Sequence, residues 1–421
     1  MKIHLDLDCF FAAAHRIDHP ELENIPIAVG GKSNVSIFDT KKHKREISPI
    51  NGAFTSSIIT QNNENTFKDY FVDKNGKIRG IVTTSSYEAR SFGVKTAMPV
   101  AQALRICPSL KMIPPNYSLY HDLSHKLKSL LEAEIPVLEQ FSIDEFFGDL
   151  DGWIDDKEAY QFGVYLQNKI KDELKLPISI GLARSKWIAK LATTDAKPIG
   201  VKLIRDEDLD IYINPKLIES FPGIGKVFAN KLHGYGIRTL EDLKSRKDLF
   251  DTWGKFEKQI YDRVCGIDDE AVSVKNDKKS IGLGRSFDPL FDRDEIKRRL
   301  IILCRHLSFI AYKDKINPSN YGLKIKYQYG ESNNKTTLST RMFSEPNLKQ
   351  EINKLFDKVD IHPTHAIVQL TISLGGFNNK IQKTFDLFSY EDDSKQAKLS
   401  DSMQSLRDKF GIDIIKSGNE L

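Results

Sequence analysis

Two short stretches carry the carboxylates that could do chemistry. Asp6 and Asp8 close the run Lys2–Asp8, in which Ile3, Leu5 and Leu7 alternate with His4, Asp6 and Asp8. That period of two predicts a strand with both aspartates on one face. Asp144 and Glu145 lie in a second strand-like stretch, Val137–Leu150, flanked by Phe141, Ile143, Phe146 and Phe147. Charged side chains in apolar strands are costly unless paired or bound to metal. Carboxylates converging from two adjacent strand tips suit hard divalent cations such as Mg²⁺, which take oxygen ligands and substrate phosphates. Two such ions, about 4 Å apart, activate an attacking hydroxyl and stabilise a phosphate leaving group. Asp-x-Asp alone reads more simply as a surface turn; both pairs together, in apolar surroundings, favour metal.

Other residues suit a phosphate-bearing substrate. In Thr83–Arg90 (TTSSYEAR), Tyr87 and Arg90 stand three apart, on one face of a helix start. Arginine offers a forked donor for phosphate oxygens, and Thr84 and Tyr87 add hydroxyls. Taken singly, this is an ordinary cap with a surface arginine. Lys197, in DAKPIG, could set an ammonium against a phosphate, or be a loop lysine. Phe221–Leu243 reads as helix, glycine hairpin, helix. Gly223 and Gly225 permit a tight turn, and the N–H groups opening the next helix, at Lys226, face an anion without reading sequence.

The elements that must position these groups alternate in type. The strand-like stretches are Lys2–Asp8, Val137–Leu150 and Pro177–Leu182; the helical ones are Pro99–Ile106, Tyr117–Leu131, Ala159–Leu174 and Lys186–Thr194. This predicts an α+β or α/β catalytic core. Residues 205–270 read as short helices broken by glycines, and Ala271–Ser280 as a lysine-rich linker. Beyond it, Asp294–Ala311 predicts a helix. Leu323–Tyr329 and Ala366–Leu374 alternate as strands of a sheet with one solvated side. The tail from Ile381 is helical near its end, up to Gly411. Lys32–Lys77 is polar with little periodicity, a long loop or insertion.

The chain has 421 residues, 40% hydrophobic and 29% charged, which suits a globular protein of several domains. There is no apolar run of membrane-spanning length and no apolar leader, so membrane insertion and secretion are not expected. Cys9, Cys107, Cys265 and Cys304 show no paired spacing, which argues against zinc fingers and disulfides and for the cytoplasm. Net charge is +4. Residues 273–301 carry eight Lys/Arg against five Asp/Glu, and 321–343 four against one. A basic C-terminal half and a carboxylate site in front suit a polyanion, although charge alone equally describes a solvated surface.

Together these segments resemble the Y-family (translesion) DNA polymerases, nearest the DinB, or polymerase IV, branch. The resemblance runs nearly the whole chain, through DLDCFFAAAH, SYEARSFGVKTAMP, SIDEFF, SIGLARSKWIAKLATTDAKPIG, the hairpin and KSIGLGRSF, in that order. It implies a multidomain α+β right-hand polymerase. The palm would take residues 1–10 and 115–204, and the fingers 11–114 with the 32–77 insertion. The helix-hairpin-helix thumb would span 205–270, the linker 271–280, the little finger 281–380 and the tail 381–421. Asp6, Asp144 and Glu145 match the family's metal-binding carboxylates, with the carbonyl of Leu7 as a further ligand of one of two Mg²⁺ ions. Thr84, Tyr87, Arg90 and Lys197 match the triphosphate contacts, and Phe11 the steric gate that excludes ribonucleotides. Gly223, Gly225, Lys226 and Arg285 are the implied DNA contacts. The implied activity is error-prone, template-directed addition of dNTPs to a primer, without proofreading, in DNA damage tolerance, by a monomer. Thr384, Phe385, Asp386, Leu387 and Phe388 (TFDLF) resemble the sliding-clamp peptide, with Thr384 in place of its usual Gln.

The sequence departs from the family pattern in three places. Lys32–Lys77 replaces a short loop and would sit near the fingers. Gly148 stands where a bulky residue is usual, and His15 where Glu is usual. Two other readings compete: an inactive DNA-binding scaffold of the same fold, and a palm-type nucleotide cyclase. The complete carboxylate set speaks against the first, and the hairpin and basic C-terminal half against the second.

Overall fold

The opening alternation does form a strand, Lys2–Leu7, and it becomes the middle of a five-stranded sheet. The structure is a computed structural model. It describes residues 1–39, 45–47, 58–60, 66–267, 270–274, 278–377 and 388–420. Across the sheet the strands run Val201–Leu203, Ile178–Ala183, Lys2–Leu7, Glu145–Asp149 and Val137–Gln140, with Lys2–Leu7 antiparallel to both neighbours. Ile3, Leu5 and Leu7 enter a core with Leu123, Leu127 and Leu131 of helix Tyr117–Glu134 and Leu166 and Ile170 of helix Ala159–Leu174. His4 turns to the other face, where its Nδ1 lies 2.9 Å from the Thr193 hydroxyl on helix Lys186–Ala196. That helix lies close to the sheet because Gly181 has no side chain. A Cβ there would fall 2.1 Å from the Ala189 carbonyl and 2.4 Å from the Thr193 nitrogen.

The stretch expected as one strand, Val137–Leu150, is a hairpin. Strands Val137–Gln140 and Glu145–Asp149 pair antiparallel, and the N–H groups of Phe141 and Ser142 both donate to the Glu145 carbonyl. Asp144 therefore sits in the turn and not within a strand. Gly148 has a packing reason: a Cβ would lie 2.7 Å from Ile3 and 2.8 Å from Ile135.

The chain separates into two compact units. The first, with residues 1–31 and the described part of 66–274, holds the five-stranded sheet and, besides a small cluster of Ala12, Leu22 and Ile27, two larger further cores. One forms over the sheet Ile81–Ser85, Ile27–Gly31, Lys111–Ile113 from Ala28, Val82, Val100 and Met112, with Tyr70 and Phe71 of helix Phe67–Phe71. The other joins the short helices of the 205–270 region, through Phe221, Phe228 and Leu240, to Trp187, Ile188 and Leu191 on helix Lys186–Ala196.

The second unit contains 32–39 and 278–377, with 45–47, 58–60 and 388–420. Its sheet runs Ser280–Leu290, Ile367–Gly375, Asn320–Tyr327, Ser332–Leu338. Inward residues Leu323, Ile325, Leu370 and Ile372 pack with Leu300, Leu303 and Leu307 of helix Arg293–Lys313 and Ile352 and Phe356 of helix Glu345–Val359. The expected one-faced sheet is present. The stretch Lys32–Lys77 is divided between the two units. Helix Phe67–Phe71 stays in the first unit, whereas Ile37 and Phe38 are buried in the core of the second. There the Phe38 ring meets Phe287 edge-on, and its carbonyl accepts from Arg298. Two apolar residues in a polar stretch carry no periodic signal, so only long-range packing reveals this.

Tail helix Tyr390–Phe410 and the turns after it close over a charged cluster. Arg305, only 1% exposed, donates to Glu420 at 2.6 Å and to Asp413 at 3.0 Å. Glu420 also receives Lys349 at 3.0 Å, and Arg407 pairs with Glu345. Among the described residues, no helix is long and apolar enough to cross a membrane. Removing one partner of a buried pair leaves the other charge without compensation, at about 3–5 kcal/mol. Glu420→Ala is therefore expected to lower the urea-unfolding free energy by about 3 kcal/mol; an unchanged midpoint would show that Arg305 does not depend on it.

Candidate active site

Asp6 and Glu145 are cross-strand partners in the central sheet, Asp6 facing Ser179 on its other side. Asp144 enters from the hairpin turn. Its carbonyl accepts from the Leu7 N–H at 3.1 Å, and its carboxylate accepts from the Ser142 hydroxyl at 2.5 Å. The same hydroxyl accepts from the Glu145 N–H at 3.1 Å. Three carboxylates thus gather at one end of two strands. Burial, with the charges of Asp144 and Glu145, pushes the Asp6 carboxyl up to about 7, although Lys197 opposes this. Burial and the Glu145 charge also raise Asp144. These are the marks of a site that favours added positive charge.

Two lysines supply part of it. Lys197 donates to Asp6 at 2.7 Å, and Lys190 to Glu145 at 2.5 Å while lying over the Phe141 ring. The sequence reading singled out Lys197 but missed Lys190. No periodic signal marked it: Lys190 lies within helix Lys186–Ala196, whereas Lys197 follows its end in extended backbone, and only the fold brings both to the carboxylates. The oxygen-only donor set, partly desolvated and self-repelling, fits hard divalent cations.

Asp8 does not join this group. Its carboxylate is 1% exposed and accepts from the Ser179 hydroxyl at 2.7 Å, the Ile199 N–H at 2.8 Å and the Tyr87 hydroxyl at 3.0 Å. The strand ends at Leu7, and Cys9, with φ 49, turns the chain into helix Phe10–Asp18. The extrapolated alternation that put Asp6 and Asp8 on one face fails there. Asp8 instead ties Tyr87 and the Lys197–Gly200 loop to the sheet. Tyr87 opens helix Tyr87–Ser91, capped by Ser86; burial and Asp8 raise its hydroxyl pKa. The Arg90 guanidinium lies 5.0 Å from the Tyr87 ring centre and donates to the Ser85 carbonyl at 3.1 Å. Thr84 is half-buried on strand Ile81–Ser85.

Phe11 is 5% exposed and stacks on Tyr120 with ring centres 4.1 Å apart. His15 reaches the Tyr120 hydroxyl at 2.8 Å, so the residue standing in for the usual Glu braces the ring beneath Phe11. Burial lowers the His15 imidazole to about 4. Neither Tyr120 nor His15 was read from sequence as part of the site.

In the hairpin, Gly223 has φ 99, and a Cβ would meet Ile260 at 2.9 Å. Ile224 and Phe228 are buried, while Gly225, Lys226 and Val227 are exposed at the start of helix Lys226–Gly234. Arg285 lies in the second unit on strand Ser280–Leu290, donating to the carbonyls of Asn34 and Gly284. Of the TFDLF segment, 384–387 lie outside the described residues; Phe388 is 99% exposed.

Two family models match the chain: the impB/mucB/samB family over residues 5–194, and its C-terminal domain over 278–387. The chain therefore belongs to this family, the Y-family DNA polymerases. Among relatives, it is 31% identical to a DNA polymerase IV of Vibrio parahaemolyticus over 288 residues, covering 68% of this chain and 69% of that one. It is 28% identical to a DNA polymerase IV of Bacillus velezensis over 435 residues, covering 99% and 92%. Among solved structures, a Y-family polymerase chimera of Dbh and Dpo4 shares the fold with TM-score 0.71 at 22% identity, covering 89% of this chain and 98% of that chain. DinB from Sulfolobus solfataricus does so with TM-score 0.54 at 21% identity, over the same shares.

The Asp8 bridge gives a direct test. A buried donor left without its acceptor costs about 1–3 kcal/mol. Asp8→Ala, which orphans the Ile199 N–H and Ser179, is expected to cost about 3 kcal/mol in urea unfolding, and Asp8→Asn less. Wild-type stability of Asp8→Ala would show that the loop is held otherwise.

Proposed function

We propose that this DNA-directed DNA polymerase extends a primer 3′-hydroxyl with dNTPs on a DNA template by two-Mg²⁺ nucleotidyl transfer, and that it serves damage tolerance. The observation that carries this reading is the meeting of Asp6, Asp144 and Glu145, with Lys190 and Lys197 already on two of them.

Asp6, Asp144, Glu145 and the Leu7 carbonyl would hold the ions. Bound there, the ions would neutralise phosphate charge and acidify the primer hydroxyl. The chain's own groups position the reactants. Lys197 exchanges its Asp6 contact for a triphosphate oxygen, while Lys190 keeps Glu145 in place. Arg90, Tyr87 and Thr84 line the fingers side and orient the triphosphate, Tyr87 being fixed by Asp8. Phe11, propped by Tyr120, presents its edge to the sugar and disfavours a 2′-hydroxyl.

DNA contacts are proposed on each unit separately. In the first, Gly223, Gly225 and Lys226 offer N–H groups and an ammonium to backbone phosphates. In the second, Arg285 lies on a strand of a lysine-bearing sheet. Such contacts make binding fall with salt. Relatives named DNA polymerase IV and structures titled as ternary complexes of Dbh support DNA and nucleotide as partners. Sliding-clamp binding by Thr384–Phe388 rests on the sequence likeness.

Primer extension on an undamaged template, with Mg²⁺ and dNTPs, tests the reading. Wild type is expected to extend, and Glu145→Ala to be slower by about a thousandfold or more while still binding primer–template. Binding without extension by either protein favours the scaffold; equal extension removes Glu145 from the metal site. For the gate, Phe11→Ala is expected to lower the preference for dNTP over rNTP, as a ratio of kcat/KM, by about tenfold or more. An unchanged ratio would return Phe11 to core packing alone.

A further inference from the structure

In the second unit, the chain brings two imidazoles and a carboxylate together where none of the polymerase chemistry lies. Glu331 follows the turn between strands Asn320–Tyr327 and Ser332–Leu338; His362 and His365 lie in the turn before strand Ile367–Gly375. One donor atom from each lies within 4.8 Å of the others. His362 Nε2 is 3.4 Å from the Glu331 carboxylate, and His365 Nδ1 is 4.0 Å from the same oxygen. The geometry points to a divalent transition-metal site of the Zn²⁺ type, formed by Glu331, His362 and His365.

Several observations carry this beyond proximity. Ligands bound at about 2.0–2.2 Å in a tetrahedral arrangement stand about 3.4 Å apart. The His362–Glu331 spacing of 3.4 Å already meets that, and the His365–Glu331 spacing of 4.0 Å exceeds it by 0.6 Å. His365 Nδ1 is buried and has no hydrogen-bond partner, an unsatisfied acceptor or donor aimed at Glu331.

The turn is also held from behind. Arg293 donates to the His362 carbonyl at 3.0 Å and the His365 carbonyl at 2.9 Å, and pairs with Asp360. Tyr327 donates to Asp360 at 2.9 Å, its hydroxyl accepts from the His362 N–H, and its ring lies edge-on to both imidazoles. These contacts hold the backbone of the turn that carries both imidazoles. With Arg293 paired to Asp360, the Glu331 carboxylate is the one acidic group among the three ligands. Two nitrogens and one oxygen suit Zn²⁺ over Mg²⁺, which prefers oxygen. Three protein ligands leave a fourth position for water. An ion here would tie the 328–331 turn to the 361–366 turn, and so pin one end of the sheet.

The test uses the full chain with excess Mg²⁺ to occupy oxygen-ligand sites, and Zn²⁺ in competition with a chromophoric chelator. The wild type is expected to hold one Zn²⁺ more than His362→Ala/His365→Ala. Glu331→Gln, at a residue 60% exposed, is expected to fold normally and to weaken that site about tenfold or more. Zn²⁺ should also raise the thermal midpoint of the wild type and not of the variants. Equal Zn²⁺ stoichiometry and affinity in wild type and Glu331→Gln would overturn the proposal. So would Zn²⁺ uptake only at millimolar concentrations.

Discussion

Like charges forced together away from water are the constraint on which the first unit depends. Asp6, Asp144 and Glu145 gather because strand Lys2–Leu7 is sandwiched between Glu145–Asp149 and Ile178–Ala183. The apolar alternation that builds the sheet delivers Asp6 opposite Glu145 at its end. Burial and mutual repulsion disfavour ionisation, so the Asp6 carboxyl rises to about 7. Lys190 on the neighbouring helix and Lys197 just beyond its end offset part of that cost, and a bound cation would offset more. The helix can approach only because Gly181 has no side chain. A sheet glycine thus decides how near Lys190 and Lys197 stand to the carboxylates.

A second layer of contacts turns this cluster into a positioned site. Asp8, removed from the carboxylate cluster by the sharp turn at Cys9, accepts instead from Ser179, Ile199 and Tyr87. It joins the start of helix Tyr87–Ser91 and the Lys197–Gly200 loop to one strand end, so that Tyr87 and the loop share one buried acceptor. His15, Tyr120 and Phe11 form a comparable stack beneath the proposed sugar gate. In the C-terminal unit the same logic operates without chemistry: Arg305 is tolerated inside because Glu420 and Asp413 meet it.

Much of this was legible in the sequence where the signal is local. The period-two run to Leu7, the helix Ala159–Leu174 and the alternation of Leu323 and Ile325 are short-range patterns, and the structure keeps them. The carboxylate pairs stood out by type and setting, whereas Thr84, Tyr87, Arg90 and Lys197 were singled out as triphosphate candidates through the family resemblance. What was not legible depends on distant partners or on where a pattern stops. The alternation through Asp8 overran the strand, and the apolar run around Asp144 concealed a turn fixed by Ser142. Ile37 and Phe38 gave no sign that they pack in the C-terminal core, because their neighbours are far along the chain. Lys190 and Tyr120 looked like ordinary helix residues until the sheet placed them.

The buried carboxylates, held by two lysines, are the proposed cation site. Thermal unfolding in EDTA, then with Mg²⁺ and a dNTP, measures this without depending on turnover. Ligands that bind only the folded state raise the midpoint by mass action. The wild type is expected to gain stability from Mg²⁺ with dNTP, and Asp6→Asn and Glu145→Gln to lose most of that gain. An equal rise in all three proteins would mean that the cation binds elsewhere, and that the carboxylates at the sheet end are paired with lysines for structure alone.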